Sequence, residues 1–178
     1  MTLSFSTRLN GNPTYFVEKI LACLHFNLRL GSELNTFITE PYFDSEEIIN
    51  KVLSFEKKLK PHTIRADKSN RWKPGNKIHF VINNRTKDRF QFAPVVECKS
   101  VQKIVITHGF NGFRYESQVW IDSHLFAEYG CSRKDINWNE KGLLKLAQND
   151  GFDSIDAFFD YFDKDFIGKI IHWTDLKY

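Results

Sequence analysis

The longest stretch of alternating residues, from Val95 to Thr107, most constrains what this chain can fold into. Its even-numbered positions from 96 to 106 fall on one face of an extended strand, so we expect that face to be buried. The segment from Thr107 to Gly112, which contains two glycines, predicts a hairpin connection, and residues 113–121 predict the returning strand. The sequence therefore predicts an antiparallel sheet in the middle of the chain.

Shorter strand patterns occur on both sides of this hairpin. They cover residues 2–6, 77–82 and 169–173, and a tight turn at Asp122-Ser123 predicts a further strand over 124–126. Strands in the middle and at both ends, with helices before and after, are typical of an α+β domain and not of a regular βαβ series.

Apolar residues at helical spacing predict four helices. The first covers about 13–24, with Asn12 as N-cap and Pro13 in the first turn, and the second runs from a cap at Asp44 to about Lys58. A third helix starts at Asn139 and ends before Gly151, where a left-handed residue is expected. Asp153 is expected to cap the fourth helix, and Gly168 to close it.

Composition favours one domain over residues 1–178. The chain has 178 residues, of which 42% are hydrophobic, and its net charge of +3 permits an anionic partner without requiring one. Three widely separated cysteines predict reduced thiols, and the lack of a long apolar run predicts a cytoplasmic protein with no membrane partner. The six histidines show no ligand spacing, so neither a metal nor another cofactor is predicted.

The segment from Lys60 to Asn76 is the densest basic cluster in the sequence. With the adjoining Lys77 it contains six Lys or Arg side chains, interrupted by Trp72 and two prolines. The alternation of Thr63, Ile64 and Arg65 puts two polar groups on one face of a strand and a core residue on the other.

This segment resembles the signature of the ASCH domains. The matching pattern is Lys-x-x-Thr-x-Arg at residues 60–65, a polar loop, and then Trp-Lys-x-Gly-Asn at 72–76, before an apolar strand. The resemblance covers about residues 58–176 and implies a PUA-like fold, which is a small mixed β-barrel with flanking helices. Residues 25–57 would then be a helical insertion.

Small bacterial members of that family hydrolyse N4-acetylcytidine, and the resemblance carries their catalytic set to Lys60, Thr63 and Asp150. Lys60 would act as the base, because burial or nearby cations can lower a lysine pKa towards neutrality, and Thr63 would act as the nucleophile. Asp150 stands where the family has Glu and would orient the ammonium. The alternative interpretations are a helix-terminal lysine, a strand threonine and a turn aspartate.

The remaining candidates are predicted to bind substrate. Arg65 would hold a substrate oxygen, or else bind a backbone carbonyl or carboxylate of the protein. Arg71, Trp72 and Lys73 combine a stacking ring with two cations, although Trp72 could instead anchor the loop on the core.

The leading functional hypothesis is amide hydrolysis of an N4-acylated cytidine, in a nucleoside or in RNA. A non-catalytic module that binds single-stranded RNA is the main alternative, and a ribonuclease is another. A protein-interaction module that uses the 25–57 segment also stays open.

Overall fold

The computed structural model describes residues 1–28, 45–110, 115–130 and 138–178. It is an α+β structure. The helices of the described residues are α1 (Phe16–Leu28), α2 (Ser45–Ser54), α3 (Glu140–Asn149) and α4 (Ile155–Tyr161). The strands are β1 (Thr2–Ser4), β2 (Arg8–Leu9), β3 (Asn12–Pro13), β4 (His62–Arg65), β5 (Lys77–Ile82), β6 (Phe90–Gln91), β7 (Val96–Glu97), β8 (Ser100–Phe110), β9 (Tyr115–Ile121), β10 (His124–Gly130) and β11 (Phe166–His172).

Two sheets carry the fold. The larger is antiparallel, with strand order β10-β9-β8-β11-β4, and in the smaller one β5 pairs with β1, β6 and β7. β4 and β10 form the two ends of the larger sheet, so no sheet of the described strands closes into a barrel. The predicted α+β class is confirmed, whereas the predicted barrel is not formed by these residues.

Strand β11 separates two hydrophobic cores. Ile170 packs with Ile64 and Ile104 in a core that α3 and α4 cover, while Ile171 packs on the other face with α1 and the smaller sheet. Successive residues of one strand point to opposite faces, so this one strand contributes to both cores.

The long alternating run divides between the two sheets. Positions 96 to 106 on the predicted face are buried, as expected, but the strand breaks at Cys98. The Cys98 N–H donates to Asn76 O at 2.8 Å in the smaller sheet, and the Lys99 N–H donates to His172 O at 2.8 Å in the larger one. The run thus crosses from one sheet to the other instead of forming a single strand.

Several predicted boundaries are wrong. Asn12–Pro13 is the short strand β3 paired with β2, and α1 starts at Phe16. Ser154 caps α4 by accepting from the Ala157 N–H at 3.1 Å, and Gly168 lies inside β11. The expected cap Asp44 lies outside the described residues.

The predictions of the tight turn at Asp122-Ser123, of the strand after it and of the left-handed Gly151 are confirmed. Asp122 and Ser123 both have positive φ, as a type I′ turn requires, and the following strand runs to Gly130. Asn139 caps α3, and Gly151 follows that helix with φ +97°. The predicted 107–112 connection starts too early, because β8 stays paired with β9 as far as Phe110. Residues 111–114, which hold the rest of this connection and the start of the predicted 113–121 strand, lie outside the described residues.

Candidate functional site

Lys60 reaches the site from the short connection between α2 and β4. Its side chain is only 1% exposed, and its ammonium donates to Asp150 Oδ1 at 2.7 Å and to the Asp150 carbonyl. The Lys60 N–H donates to Lys19 O at 3.1 Å, which fixes the connection against α1. The ammonium therefore leaves water only because Asp150 supplies charge-assisted hydrogen bonds.

Asp150 is placed by the end of α3. It is the C-cap residue, its N–H bonds back to Leu146 O at 3.0 Å, and the left-handed Gly151 turns the chain away. The carboxylate also accepts the Ile64 N–H at 3.1 Å. Asp150 therefore covers the free edge of β4 as well as neutralising Lys60.

Burial lowers the pKa of Lys60 to about 8, against the opposing effect of the Asp150 carboxylate, and the charges of Arg65 and Lys19 also lower it. A lysine with this pKa exchanges its proton near neutral pH, as a general base must. The pair that the resemblance carries over, Lys60 and Asp150, thus lies within hydrogen-bond distance although 90 positions separate the two residues.

Thr63 is not joined to this pair. In β4 it is two residues before Arg65 and next to Ile64, so its side chain faces the core around its cross-strand neighbour Ile171. It is 2% exposed, and no hydrogen bond among the described residues connects its hydroxyl to Lys60. The structure brings together two of the three expected catalytic groups.

The Arg65 side chain binds other residues of the protein instead of facing a cleft. Its guanidinium donates to Ser4 O at 2.8 Å and lies 5.1 Å from the centre of the Phe5 ring. Both contacts tie β4 to the smaller sheet. They match the structural alternative for this arginine.

The loop after β4 presents charges but no free ring. Arg71 and Lys73 are exposed, whereas Trp72 is 6% exposed and packs in the core with α1. The Asp67 carboxylate fastens this loop by accepting the N–H groups of Arg71 and Trp72 at 3.0 and 2.9 Å. Trp72 therefore anchors the loop and offers no stacking face in this conformation.

Sequence reasoning missed a second polar group beside the pair, made of two buried histidines and a half-buried tyrosine. His62, His172 and Tyr178 lie together, with ring centres 5.2 Å apart for the two histidines and 5.4 Å for His62 and Tyr178. Burial lowers the pKa of His62 well below its ordinary value and that of His172 to about 4, so both rings are neutral at pH 7. The apolar residues around each histidine were the available signal, because they predict strands that bury it.

A cleft of about 850 Å³ opens next to this group. Its walls come from the end of α1, the 56–61 connection, the last turn of α3 and residues 174–176. They carry lysines, carboxylates, side-chain amides and apolar groups, including Lys57, Lys58, Lys145, Glu56, Asp153, Asp175, Asn27, Gln148, Asn149, Leu59 and Phe152. Lys60, Thr63 and Asp150 are not among the lining residues, so the expected catalytic set lies beneath the wall.

Ion pairs hold one side of the cleft. Lys19 donates to Gly151 O at 2.7 Å, and both Lys19 and Lys58 lie 3.4 Å from the Asp153 carboxylate. Although partial burial opposes it, these two lysines lower the pKa of Asp153. The residue expected to cap α4 instead links that turn to α1 and to the 56–61 connection.

Within the described residues, no cluster of three or more His, Cys, Asp or Glu side chains forms a metal site. Each helix of the described ranges is too short or too polar to cross a bilayer. Comparison with protein-family models, with curated proteins and with solved structures gives no significant match.

Proposed function

We propose that the cleft binds a nucleoside, or one nucleotide unit of single-stranded RNA, and that the chain is an ASCH-like, PUA-like binding domain. The observation that carries this proposal is the cleft itself, where lysines, amides and apolar side chains converge beside residues 60–65. A volume of about 850 Å³ accommodates a nucleotide, within the range usual for small-molecule sites.

The chemistry of the walls supports this class of ligand. Amides such as Gln148 and Asn149 match the donor and acceptor pattern of a base edge. Lys57 and Lys145 make no ion pair with a described residue, so their ammonium groups remain available for phosphate oxygens. Phe152 and Leu59 provide apolar surface for a base or ribose.

Fluorescence anisotropy with a labelled single-stranded RNA tests the proposal. We expect Lys57→Glu with Lys145→Glu to weaken binding by about tenfold or more and to flatten its salt dependence. The matched control reverses Arg85 and Lys87, which lie in an exposed loop outside the cleft lining. An equal loss of RNA affinity in both double variants, or no loss in the Lys57→Glu/Lys145→Glu variant, would contradict the proposal.

Amide hydrolysis of an N4-acylated cytidine is the second candidate. It is favoured by one observation, the contact between Lys60 and Asp150 together with a Lys60 pKa of about 8. Binding ranks first because Lys60 and Thr63 are almost fully buried, whereas a nucleophile must reach its substrate.

Acetate release from N4-acetylcytidine tests this candidate. Thr63→Ala is expected to abolish release if Thr63 is the nucleophile, and Thr63→Ser to retain part of it. Thr107→Ala, on the partly exposed face of β8, is the control. Equal rates for wild type and Thr63→Ala would eliminate hydrolysis by Thr63, and cleavage of the labelled RNA would instead indicate a ribonuclease.

A further inference from the structure

A row of buried polar residues crosses three strands of the larger sheet. His172 of β11 is paired with His62 of β4 on one side and with Ser100 of β8 on the other. All three side chains are buried, on the sheet face that carries Ile64 and Ile104 further along the strands. Gln102 of β8 is also buried on this face, but the neighbouring Ile64, Ile104 and Ile170 are apolar, so three polar residues in adjacent positions need an explanation.

Four of the five polar side-chain atoms in this row lack a partner within the described part of the chain. Nδ1 of His62, both ring nitrogens of His172 and the Ser100 hydroxyl have no hydrogen-bond partner among the described residues. Leaving such a group buried without a partner costs free energy, and most buried polar groups in folded proteins are satisfied. Several unsatisfied atoms in one place are typical of a site that is built for a ligand or for water.

Tyr178 covers the row. Its hydroxyl lies 2.8 Å from His62 Nε2 and accepts from the Asn149 amide at 2.7 Å, while its ring stands edge-on to His62 and Phe126. The side chain of Gln102 holds the Tyr178 backbone through two hydrogen bonds of 2.9 Å. A planar ring with a polar tip therefore fills the space above the two histidines.

The same segment separates the row from the cleft. Residues 174–176 line the cleft, and Asn149, which bonds the Tyr178 hydroxyl, also forms part of the cleft wall. Displacement of Tyr178 would therefore connect the cleft with the polar row. His62 Nδ1 lies 3.8 Å from Asp150 Oδ1, so the path from the cleft through the row continues to the Lys60–Asp150 pair.

The charges around the row limit what fits there. The neutral histidines give an anion no counter-charge, and the Asp150 carboxylate beside His62 repels it. A cation is opposed by the Lys60 ammonium, 2.7 Å from that carboxylate. Neutral imidazoles and a hydroxyl provide both donors and acceptors, which suit a neutral, planar, hydrogen-bonding ring.

We propose that Tyr178 occupies a pocket for a nucleobase, whose edge is read by His62, His172 and Ser100 once Tyr178 moves aside. The proposal rests on the function proposed above, because the base reaches this pocket from the cleft. It gives that function a specific base pocket and a tyrosine gate.

Calorimetric titration with cytidine tests the gate. We expect affinity to rise in the order wild type, Tyr178→Phe, Tyr178→Ala, with about a tenfold gain for Tyr178→Ala, because Phe loses the two hydroxyl bonds and Ala vacates the ring. Adding His172→Phe to Tyr178→Ala should reverse the gain. Trp138→Ala removes an exposed ring outside the cleft lining and serves as the control. If Tyr178→Ala fails to fold, the proposal is decided by whether Tyr178→Phe binds cytidine more tightly than wild type.

The outcomes separate this proposal from the binding function. Equal cytidine affinity in all Tyr178 variants, with RNA binding still dependent on Lys57 and Lys145, overturns the gate and leaves the cleft function standing. A graded gain in cytidine affinity, together with RNA binding that is indifferent to those lysines, supports the base pocket and contradicts the cleft function. Binding of phenol but not cytidine to Tyr178→Ala, or a gain that survives His172→Phe, overturns base reading.

Discussion

Lys60 and Asp150 are two residues whose charges are stable only together. Replacing Lys60 by Met leaves the carboxylate buried and unpaired, so we expect the free energy of unfolding to fall by about 3–5 kcal/mol. The double variant Lys60→Met/Asp150→Asn should recover part of this loss, because the amide oxygen still accepts the Ile64 N–H. Urea unfolding measures both, with Lys58→Met, a 62% exposed side chain, as control. A loss equal to that of Lys58→Met would contradict a buried pair.

His172 predicts a specific dependence of stability on pH. Its pKa in the folded chain is about 4 against an ordinary 6.5, so between these values the unfolded chain binds a proton that the folded chain does not. Stability therefore falls as pH drops from 6.5 to 4, and this residue accounts for about 2–3 kcal/mol of the fall. His62 adds a fall of the same sign.

His172→Phe isolates that contribution. We expect the variant to lose less unfolding free energy than wild type between pH 6.5 and pH 4.5 in urea titrations, because Phe has no proton to bind. Acidic residues titrate equally in both chains and cancel in the difference. Identical pH profiles would show that His172 is protonated as easily in the folded chain as in the unfolded one.

At the residue scale, the sequence predicts the Lys60–Asp150 pair better than it predicts the polar row. Lys60 and Asp150 could be named because a motif resemblance places them, and no spacing rule would have joined positions 60 and 150. The row of His62, His172 and Ser100 depends on the register between β4, β11 and β8, which a single sequence does not specify. Register, and hence this row, required the structure.

Among the elements, β11 is constrained most tightly at Gly168. A side chain there would place its Cβ 2.5 Å from the Arg65 carbonyl oxygen and 2.5 Å from the Phe166 ring. We expect Gly168→Ala to destabilise by about 1–3 kcal/mol, since backbone must shift to admit it. Gly109→Ala in β8 is the matched control, because nothing lies within 4 Å of its Cβ position. Similar unfolding midpoints for the two variants would contradict this account.

Element predictions succeeded where the pattern was local and failed where a tertiary contact decided. The turn at Asp122-Ser123 and the left-handed Gly151 after α3 follow from residue preference alone. Asp153 has the preference of a cap, yet it pairs with Lys19 across the fold, and the neighbouring Ser154 caps α4 instead. The break at Cys98 could not be predicted either, because the alternation of buried and exposed positions in the sequence continues unchanged where the chain passes from one sheet to the other.

At the scale of the whole molecule, the prediction of a single domain depends on β11 and its two faces. Ile170 belongs to the core under α3 and α4, and Ile171 to the core around α1. Because adjacent residues of one strand support both cores, loss of either core should destabilise the other. The two cores are then one cooperative unit.

Ile170→Ala and Ile171→Ala test this coupling. Each is expected to cost about 2–5 kcal/mol, as removal of a fully buried isoleucine does, and to lower hydrogen-exchange protection equally in β5 and β8. β5 reports on the core that contains Ile171, and the inner residues of β8 report on the core that contains Ile170. If Ile171→Ala lowered protection in β5 and left β8 unchanged, the chain would consist of two units that unfold separately. A loss of hydrogen-exchange protection in both strands would follow directly from the alternation of β11, whose adjacent residues face the two cores.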